Sequence, residues 1–247
     1  MVIVKSLEEI AIMRHGGKIL AGILGKLKEE TRAGIKTCQL DNIMLEEAKK
    51  HGVVPSFKNY HGFPANLCVS INDEIVHGIP GERVIEEGDI VSLDAGVIYK
   101  GFHTDSAITV AVGNVSKQAM SLIEVTKASL DAGISRARRG AHIKDISTAV
   151  QNCIESEGFS VVREYTGHGV GRNLHEDPQV PNFAFEMGPL LRKGMVIAIE
   201  PMANVGDWHT KVADDHWKVL TADGSLSAHF EHTIAITDDR AEVLTCI

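Results

Sequence analysis

The sequence predicts an α+β fold in which two related halves face a shared centre. Two stretches carry the relation: Gly88-Asp-Ile-Val-Ser-Leu-Asp94 and Gly194-Met-Val-Ile-Ala-Ile-Glu200. Each runs from a glycine through an apolar, strand-like segment to a carboxylate six residues on. Two helical patterns precede each copy. No low-complexity stretch or linker divides residues 1–247, so one domain is expected to hold both halves.

The elements follow in order. Ser6-Leu-Glu-Glu9 is a capping box, and Ile10, Met13, Ile19, Leu20, Ile23, Leu24 and Leu27 then keep a helical period to about Glu30. Thr37 is expected to cap a second helix through Leu45 and Ala48 that ends near Gly52. Leu67–Ile71 reads as a strand inside a glycine- and proline-punctuated stretch. Residues 91–112 hold two extended segments, with Tyr99-Lys100-Gly101 supplying the turn between them. Helical periodicity returns over 116–139 and from 144 to about 157, and strands are expected at 196–201, 217–221 and 227–237.

Composition narrows the class. Hydrophobic content of 44% and charged content of 23% are those of a globular protein, and 247 residues suffice for a sizeable core. A net charge of −8 argues against nucleic acid as a partner. The one basic cluster, Arg136-Ala-Arg-Arg139, falls where cations meet a helix C-terminus. No run reaches the ~18 apolar residues of a membrane span, and Glu8 and Glu9 interrupt the N-terminus where a secretory signal needs its apolar core. Cys38, Cys68, Cys153 and Cys246 lack metal-type spacing and read as reduced thiols, so a cytoplasmic location is expected.

The chemistry lies in five residues: Asp94, Asp105, His168, Glu200 and Glu231. Each sits in an apolar or glycine-rich setting, where an ionised carboxylate is costly unless a cation compensates it. A hairpin turning after Tyr99 is expected to set Asp94 opposite Asp105, at a spacing where bare like charges repel. Carboxylate-rich ligation with one imidazole suits Mn, Fe, Co or Zn rather than a structural zinc site. Four carboxylates can hold two ions, which makes hydrolysis the expected reaction class. His168 is framed by glycines in Gly167-His168-Gly169-Val170-Gly171, and His77 and His175 are the next candidates, as donors to an oxyanion or a substrate amide. His61 and His232 stay unassigned, and the other seven histidines, His229 among them, read as surface or structural. Serine-hydrolase, phosphate-loop and HExxH patterns are missing.

At these residues the chain resembles a type I methionine aminopeptidase of the bacterial form. The resemblance runs from about Ser6 to Thr245. It rests on SINDEIVHGIP (70–80), LDAG with HTDSA (93–96 and 103–107), GHGVGRNLHEDPQVPN (167–182), GMVIAIEPM (194–202) and SLSAHFEHTIAIT (225–237). It implies the pita-bread fold, two pseudo-symmetric halves around a central antiparallel sheet, as a single catalytic metallopeptidase domain. Asp94, Asp105, His168, Glu200 and Glu231 would hold two divalent ions (Co, Mn, Fe or Zn), and Glu200 would shuttle the proton of the attacking water. His77 and His175 match the histidines that contact substrate. Phe57, Phe63, Cys68, Leu174 and Trp217 would form the slot for a methionine side chain. A monovalent cation (Na or K) would sit near Asn72, Ser227 and the backbone of Glu74.

The implied reaction removes the N-terminal methionine from nascent proteins and peptides, preferring a small second residue. A ribosome-associated monomer with no nucleic-acid or membrane requirement is expected. Phe63 stands where many members have Tyr, and Thr104 precedes Asp105 where Gly is common. Glu231 follows Glu200 by 31 positions, too few for the long insertion of type II members. Prolidase and aminopeptidase P relatives remain an alternative, although they usually carry a further N-terminal domain. A non-catalytic binding protein on the same fold is a second alternative, which the five intact positions oppose.

Overall fold

The computed structural model describes residues 2–246. Helices α1 (Leu7–Glu30) and α2 (Thr37–Lys50) lead into β1 (Val54–Pro55), β2 (Cys68–Ile71), β3 (Glu74–Val76), β4 (Ile90–Tyr99) and β5 (Phe102–Ala111). A second helix pair, α3 (Lys117–Arg136) and α4 (Ile143–Ser156), leads into β6 (Ser160–Val161), β7 (Thr166–Gly169), β8 (Glu176–Pro181), β9 (Val196–Ile199) and β10 (Met202–Asn204). The chain then adds β11 (Thr210–Val212), β12 (Val219–Thr221), β13 (Ser227–His229), β14 (Glu231–Ile236) and β15 (Ala241–Val243). Two helices followed by strands, twice over, is the order that the glycine-to-carboxylate echo predicts.

The halves meet in one antiparallel sheet with the order β1-β4-β5-β14-β9-β7-β8, to which β2 adds on β4 and β15 on β14. The seam is the β5–β14 pairing, with Glu231 opposite Ala107. Strand alternation divides the faces. Val91, Leu93, Ala95 and Val97 bury against Leu20, Ile23, Leu27 and Leu40 of α1 and α2. Ile197, Ile199, Ile234 and Ile236 pack in the cluster that holds Leu122 and Leu130 of α3 with Ile146 and Val150 of α4. Each aliphatic side chain buried this way contributes roughly 1.5–3 kcal/mol. Residues of the opposite parity, Asp94 among them, are thereby turned to the other face.

Three expectations change in detail. Lys100 and Gly101 form a two-residue turn with φ of 48° and 78°, the left-handed pair of a tight hairpin. That turn fixes Tyr99 opposite Phe102, so Asp94 faces Ala107 and Asp105 faces Gly96. The two aspartates are therefore diagonal neighbours on one face, not a directly opposed pair. Thr37 is the first residue of α2 rather than its cap, and its hydroxyl exchanges hydrogen bonds with the backbone of Gly81 at 3.1 and 2.8 Å. At that helix start the Lys36 amide donates instead to Oε1 of Gln39, at 2.9 Å. Finally, the strand expected over 227–237 is interrupted at Phe230, which separates β13 from β14. The Ser6 capping box is present, with its two hydrogen bonds at 3.0 and 3.2 Å.

Helix α1 carries a test of how its packing was built. A Cβ at Gly17 would lie 2.2 Å from the carbonyl oxygen of Leu244, whereas Gly22 has open space. Gly22→Ala should stabilise by about 0.5–1 kcal/mol through helix propensity. Gly17→Ala should instead destabilise by about 1–3 kcal/mol, because backbone rather than a flexible side chain must yield. Urea denaturation of the metal-loaded protein checks both, and equal effects of one sign would refute this account of the helix contact.

Candidate metal centre

The register of the central sheet assembles the site. Cys68, Asp94, Ala107 and Glu231 are cross-strand partners in sequence across β2, β4, β5 and β14, so they share one face. Asp105 joins that face two residues before Ala107. Because His232 pairs with Ile199, Glu200 emerges beside Glu231 as β9 ends. Gly169 pairs with Ile197, which brings the preceding His168 to the same rim. Four strands and one strand end thus deliver five side chains to a single cavity of about 240 Å³.

Asp105, His168 and Glu231 offer donor atoms that all lie within 4.8 Å of one another. Nε2 of His168 is 3.6 Å from Glu200 and 4.0 Å from Asp105. Its Nδ1 lies 2.9 Å from the carbonyl oxygen of Gly169, to which it must donate, so Nε2 presents a lone pair to the carboxylates. Hydroxyls brace the strands that carry the acids. Thr233 accepts from the Asp105 amide at 2.9 Å and returns a bond to its carbonyl at 2.8 Å. Ser106 donates to the Glu231 carbonyl at 2.7 Å.

No lysine or arginine ion pair involves Asp94, Asp105, Glu200 or Glu231 among the described residues. Oδ1 of Asp94 and Oε1 of Glu231 are buried without a hydrogen-bond partner there. Burial pushes the Asp94 carboxyl up to about 7. Asp105, Glu200 and Glu231 are driven well above the usual carboxylate range, first by burial and then by each other and Asp94. Burial, with His175 nearby, lowers His168 to about 3. A neutral imidazole lone pair and orphaned carboxylate oxygens, converging without a cation, fit divalent metal ions of the Mn, Fe, Co or Zn type.

One wall of the cavity is apolar. Phe57, Phe63, Cys68 and Leu174 are buried together, with Trp217 packed against them. The Phe63 and Trp217 rings meet edge to face, with centroids 5.2 Å apart. Cys68 is fully enclosed, and burial followed by the charges of Asp94 and Asp105 holds its thiol well above the ordinary range. Its sulfur therefore acts as a small hydrophobe. His77 and His175 line the same space. His77 is pushed down to about 4, first by burial and then by His175.

Sequence reasoning missed Tyr60 and Val76 in this lining and left His61 unassigned. No pattern in the neighbouring residues marks Tyr60 for this lining. His232 turns away to Thr245, at 2.8 Å, because strand alternation opposes it to Glu231. His229 is fully buried, and among the described residues neither of its ring nitrogens has a partner. The four cysteines are free thiols. Asn72 bonds to Asp89 and Ile90, while the Glu74 carboxylate is held by Arg83 and Lys218 at 2.7 and 3.1 Å. Ser227 donates its amide to the Asn72 carbonyl at 2.8 Å.

A family model described as metallopeptidase family M24 matches residues 11–238. A methionine aminopeptidase from Clostridium perfringens is 51% identical over 248 residues, covering 100% of both chains. In structure the chain is similar to methionine aminopeptidase from Thermotoga maritima, with a TM-score of 0.98 at 44% identity and 100% coverage of each. A prolidase from Pyrococcus furiosus matches with a TM-score of 0.82 over 99% of this chain and 66% of that one. At 23% identity that likeness shows the fold alone, the pita-bread arrangement of two halves around one sheet.

The raised carboxyl pKa values predict how the metal-free protein responds to pH. A group whose folded pKa lies above its unfolded value (about 3.9 for Asp) stabilises fully below the unfolded value and loses that contribution as pH rises through the folded one. With Asp94 at about 7 and three neighbours also raised, the chelator-stripped protein should lose stability steadily between pH 4 and pH 7 or above. Its melting temperature should fall by roughly 5 °C or more over that window. Loading with Mn should abolish the slope. A metal-free profile that is flat, or that rises with pH, would contradict the assignment of these carboxyls as unpaired and buried.

Proposed function

The chain belongs to metallopeptidase family M24 and, within it, to the methionine aminopeptidases, and from that membership and the shape of its pocket we propose that it removes the N-terminal methionine from nascent proteins and peptides with a small second residue. One observation carries the reading: an apolar wall of Phe57, Phe63, Cys68, Leu174 and Trp217 abuts the carboxylate–histidine cluster in one cavity. At about 240 Å³ the space falls below the roughly 300–1,000 Å³ of drug-sized ligand pockets and suits one long, unbranched side chain beside its scissile bond. Cleavage at the first peptide bond is inferred from the family membership, since a side-chain pocket holds a residue whether or not another precedes it.

Asp94, Asp105, His168, Glu200 and Glu231 would hold a pair of divalent ions. When bound, such ions make water acidic at neutral pH and polarise a carbonyl. The protein's own groups do the rest. The apolar wall holds the methionine side chain and excludes water. Asp94, which lines the cavity, holds the free amine. His77 orients the scissile amide, and His175 donates a hydrogen bond to the carbonyl oxygen as negative charge develops there. Glu200 takes the proton of the attacking water and passes it to the leaving amine.

The monovalent cation (Na or K) is assigned to the turn that joins Asn72, Glu74 and Ser227. The side chains of Asn72 and Glu74 are engaged elsewhere, so main-chain carbonyls are what this turn offers. The reading carries with it a single-domain monomer that acts in the cytoplasm, beside the ribosomes where such substrates are made. No helix among the described residues is long and apolar enough to cross a membrane.

The Mn-loaded protein should release methionine from Met-Ala-Ser and leave intact Xaa-Pro peptides whose first residue is not methionine. Glu200→Gln should lower kcat by about 10²–10⁴-fold, the usual contribution of a general base. Cleavage of Xaa-Pro peptides in preference to Met-Ala-Ser would replace this reading with a prolidase-type one. A fully active Glu200→Gln would remove Glu200 from the proton path.

A further inference from the structure

We propose that Tyr60 is a positioning residue for this reaction, its hydroxyl fixing His175 in the tautomer that carries the proton on Nε2. The proposal rests on the role given above to His175. The Tyr60 oxygen lies 2.7 Å from Nδ1 of His175, and the two rings are 5.2 Å apart at 53°. His175 in turn packs edge to face on His168, with ring centroids 4.2 Å apart. With Nδ1 occupied by Tyr60, Nε2 is the nitrogen left for substrate.

A neutral imidazole has one N–H and one lone pair, and the partner of one nitrogen decides what the other presents. Phenol is the stronger donor of the pair, and imidazole nitrogen the stronger acceptor. O–H···Nδ1 is therefore the favoured arrangement, and it leaves Nε2–H as a donor. Among the described residues the Tyr60 hydroxyl has no other hydrogen-bond partner that would compete for its proton. Burial raises its pKa further, which keeps the donor proton in place. In the opposite tautomer Nε2 would aim a lone pair at an oxygen that is gaining negative charge.

The backbone around Tyr60 is built to hold this aim. Tyr60 opens a short 3₁₀ turn, Tyr60–Gly62, which is preceded by the left-handed Asn59 at φ 67° and contains a second left-handed residue, His61 at φ 48°. Three main-chain bonds close the loop: Asn59 to Phe63 at 2.8 Å, Tyr60 to Phe57 at 2.9 Å and Phe63 to Tyr60 at 2.9 Å. Non-glycine residues in this region of φ are uncommon and persist where the surroundings dictate them. Here the same turn places Phe57 and Phe63 in the apolar wall and Tyr60 on His175.

Nitrogen-15 histidine-labelled, Zn-loaded protein tests the tautomer directly, with the His175 signals assigned by their loss in His175→Asn. Wild type should show Nε2 protonated and Nδ1 bare, and Tyr60→Phe should show averaged shifts. On Met-Ala-Ser, Tyr60→Phe should lower kcat by about tenfold or more, up to the 10²–10³ lost with a whole oxyanion donor, and leave KM within about threefold. In a His175→Ala background the same change should cost less than about twofold, since both act through one group. Unchanged His175 shifts in Tyr60→Phe would overturn the proposal, as would a raised KM with unchanged kcat. A fully active His175→Ala would overturn the reading of His175 itself. Failure of the proposal alone looks different: His175→Ala is slow and Tyr60→Phe is not.

Discussion

Four carboxyl groups face one another in a space to which no lysine or arginine among the described residues contributes, and the rest of the structure answers to that constraint. Left ionised and alone, they would oppose folding by several kcal/mol each. Sheet geometry keeps them tolerable by placing them at one spot. Alternation sends Leu93 and Ala95 into the helix-covered face and Asp94 out of it. The same alternation on β14 sends Ile234 and Ile236 inward while Glu231 faces the cavity. A one-residue slip in any of these strands would exchange a buried aliphatic for a carboxylate, so hydrophobic packing on one face holds the ligand register on the other.

The duplicated architecture explains how one metal centre can draw on residues more than a hundred positions apart. Each half carries an acid on a buried strand, Asp94 within β4 in the first and Glu200 just past the end of β9 in the second. Pairing β5 with β14 joins the halves edge to edge, and the acids meet at the seam. The apolar side of the cavity, by contrast, is not symmetric. The apolar wall comes from the loop carrying Phe57 and Phe63, from the start of β2, from Leu174 and from Trp217 just before β12. On the proposed reading a symmetric frame would hold the metals, and asymmetric loops would choose the side chain.

This division decides what was legible in the sequence. The five metal-site residues are visible because each breaks an apolar or glycine-rich pattern, and the energetic cost of such a break can be read from its immediate neighbours in the chain. Helices α1 to α4 are visible through periodicity and the Ser6 capping box. The relation of Asp94 to Asp105 was only half visible. A separation of 11 positions shows that both lie in one hairpin, but turn length sets the partner, and the two-residue Lys100-Gly101 turn offsets the acids diagonally. Phe230 hid for a different reason: the break between β13 and β14 falls in a stretch with no glycine or proline to mark it.

Loop residues were the least legible, and Tyr60 shows why. Nothing in Lys58-Asn59-Tyr60-His61-Gly62 marks a tyrosine that meets a histidine 115 positions away at 2.7 Å. The contact depends on left-handed φ values at Asn59 and His61, which side-chain patterns do not encode. His61 and His229 make the complementary point. His61 lines the cavity although its neighbours imply no role. His229, two residues before Glu231, is buried with both ring nitrogens unpaired among the described residues. Charge in an apolar strand announces itself, because its cost is local. A hydrogen bond that orients a neutral ring carries no local cost, so only the assembled loop reveals it.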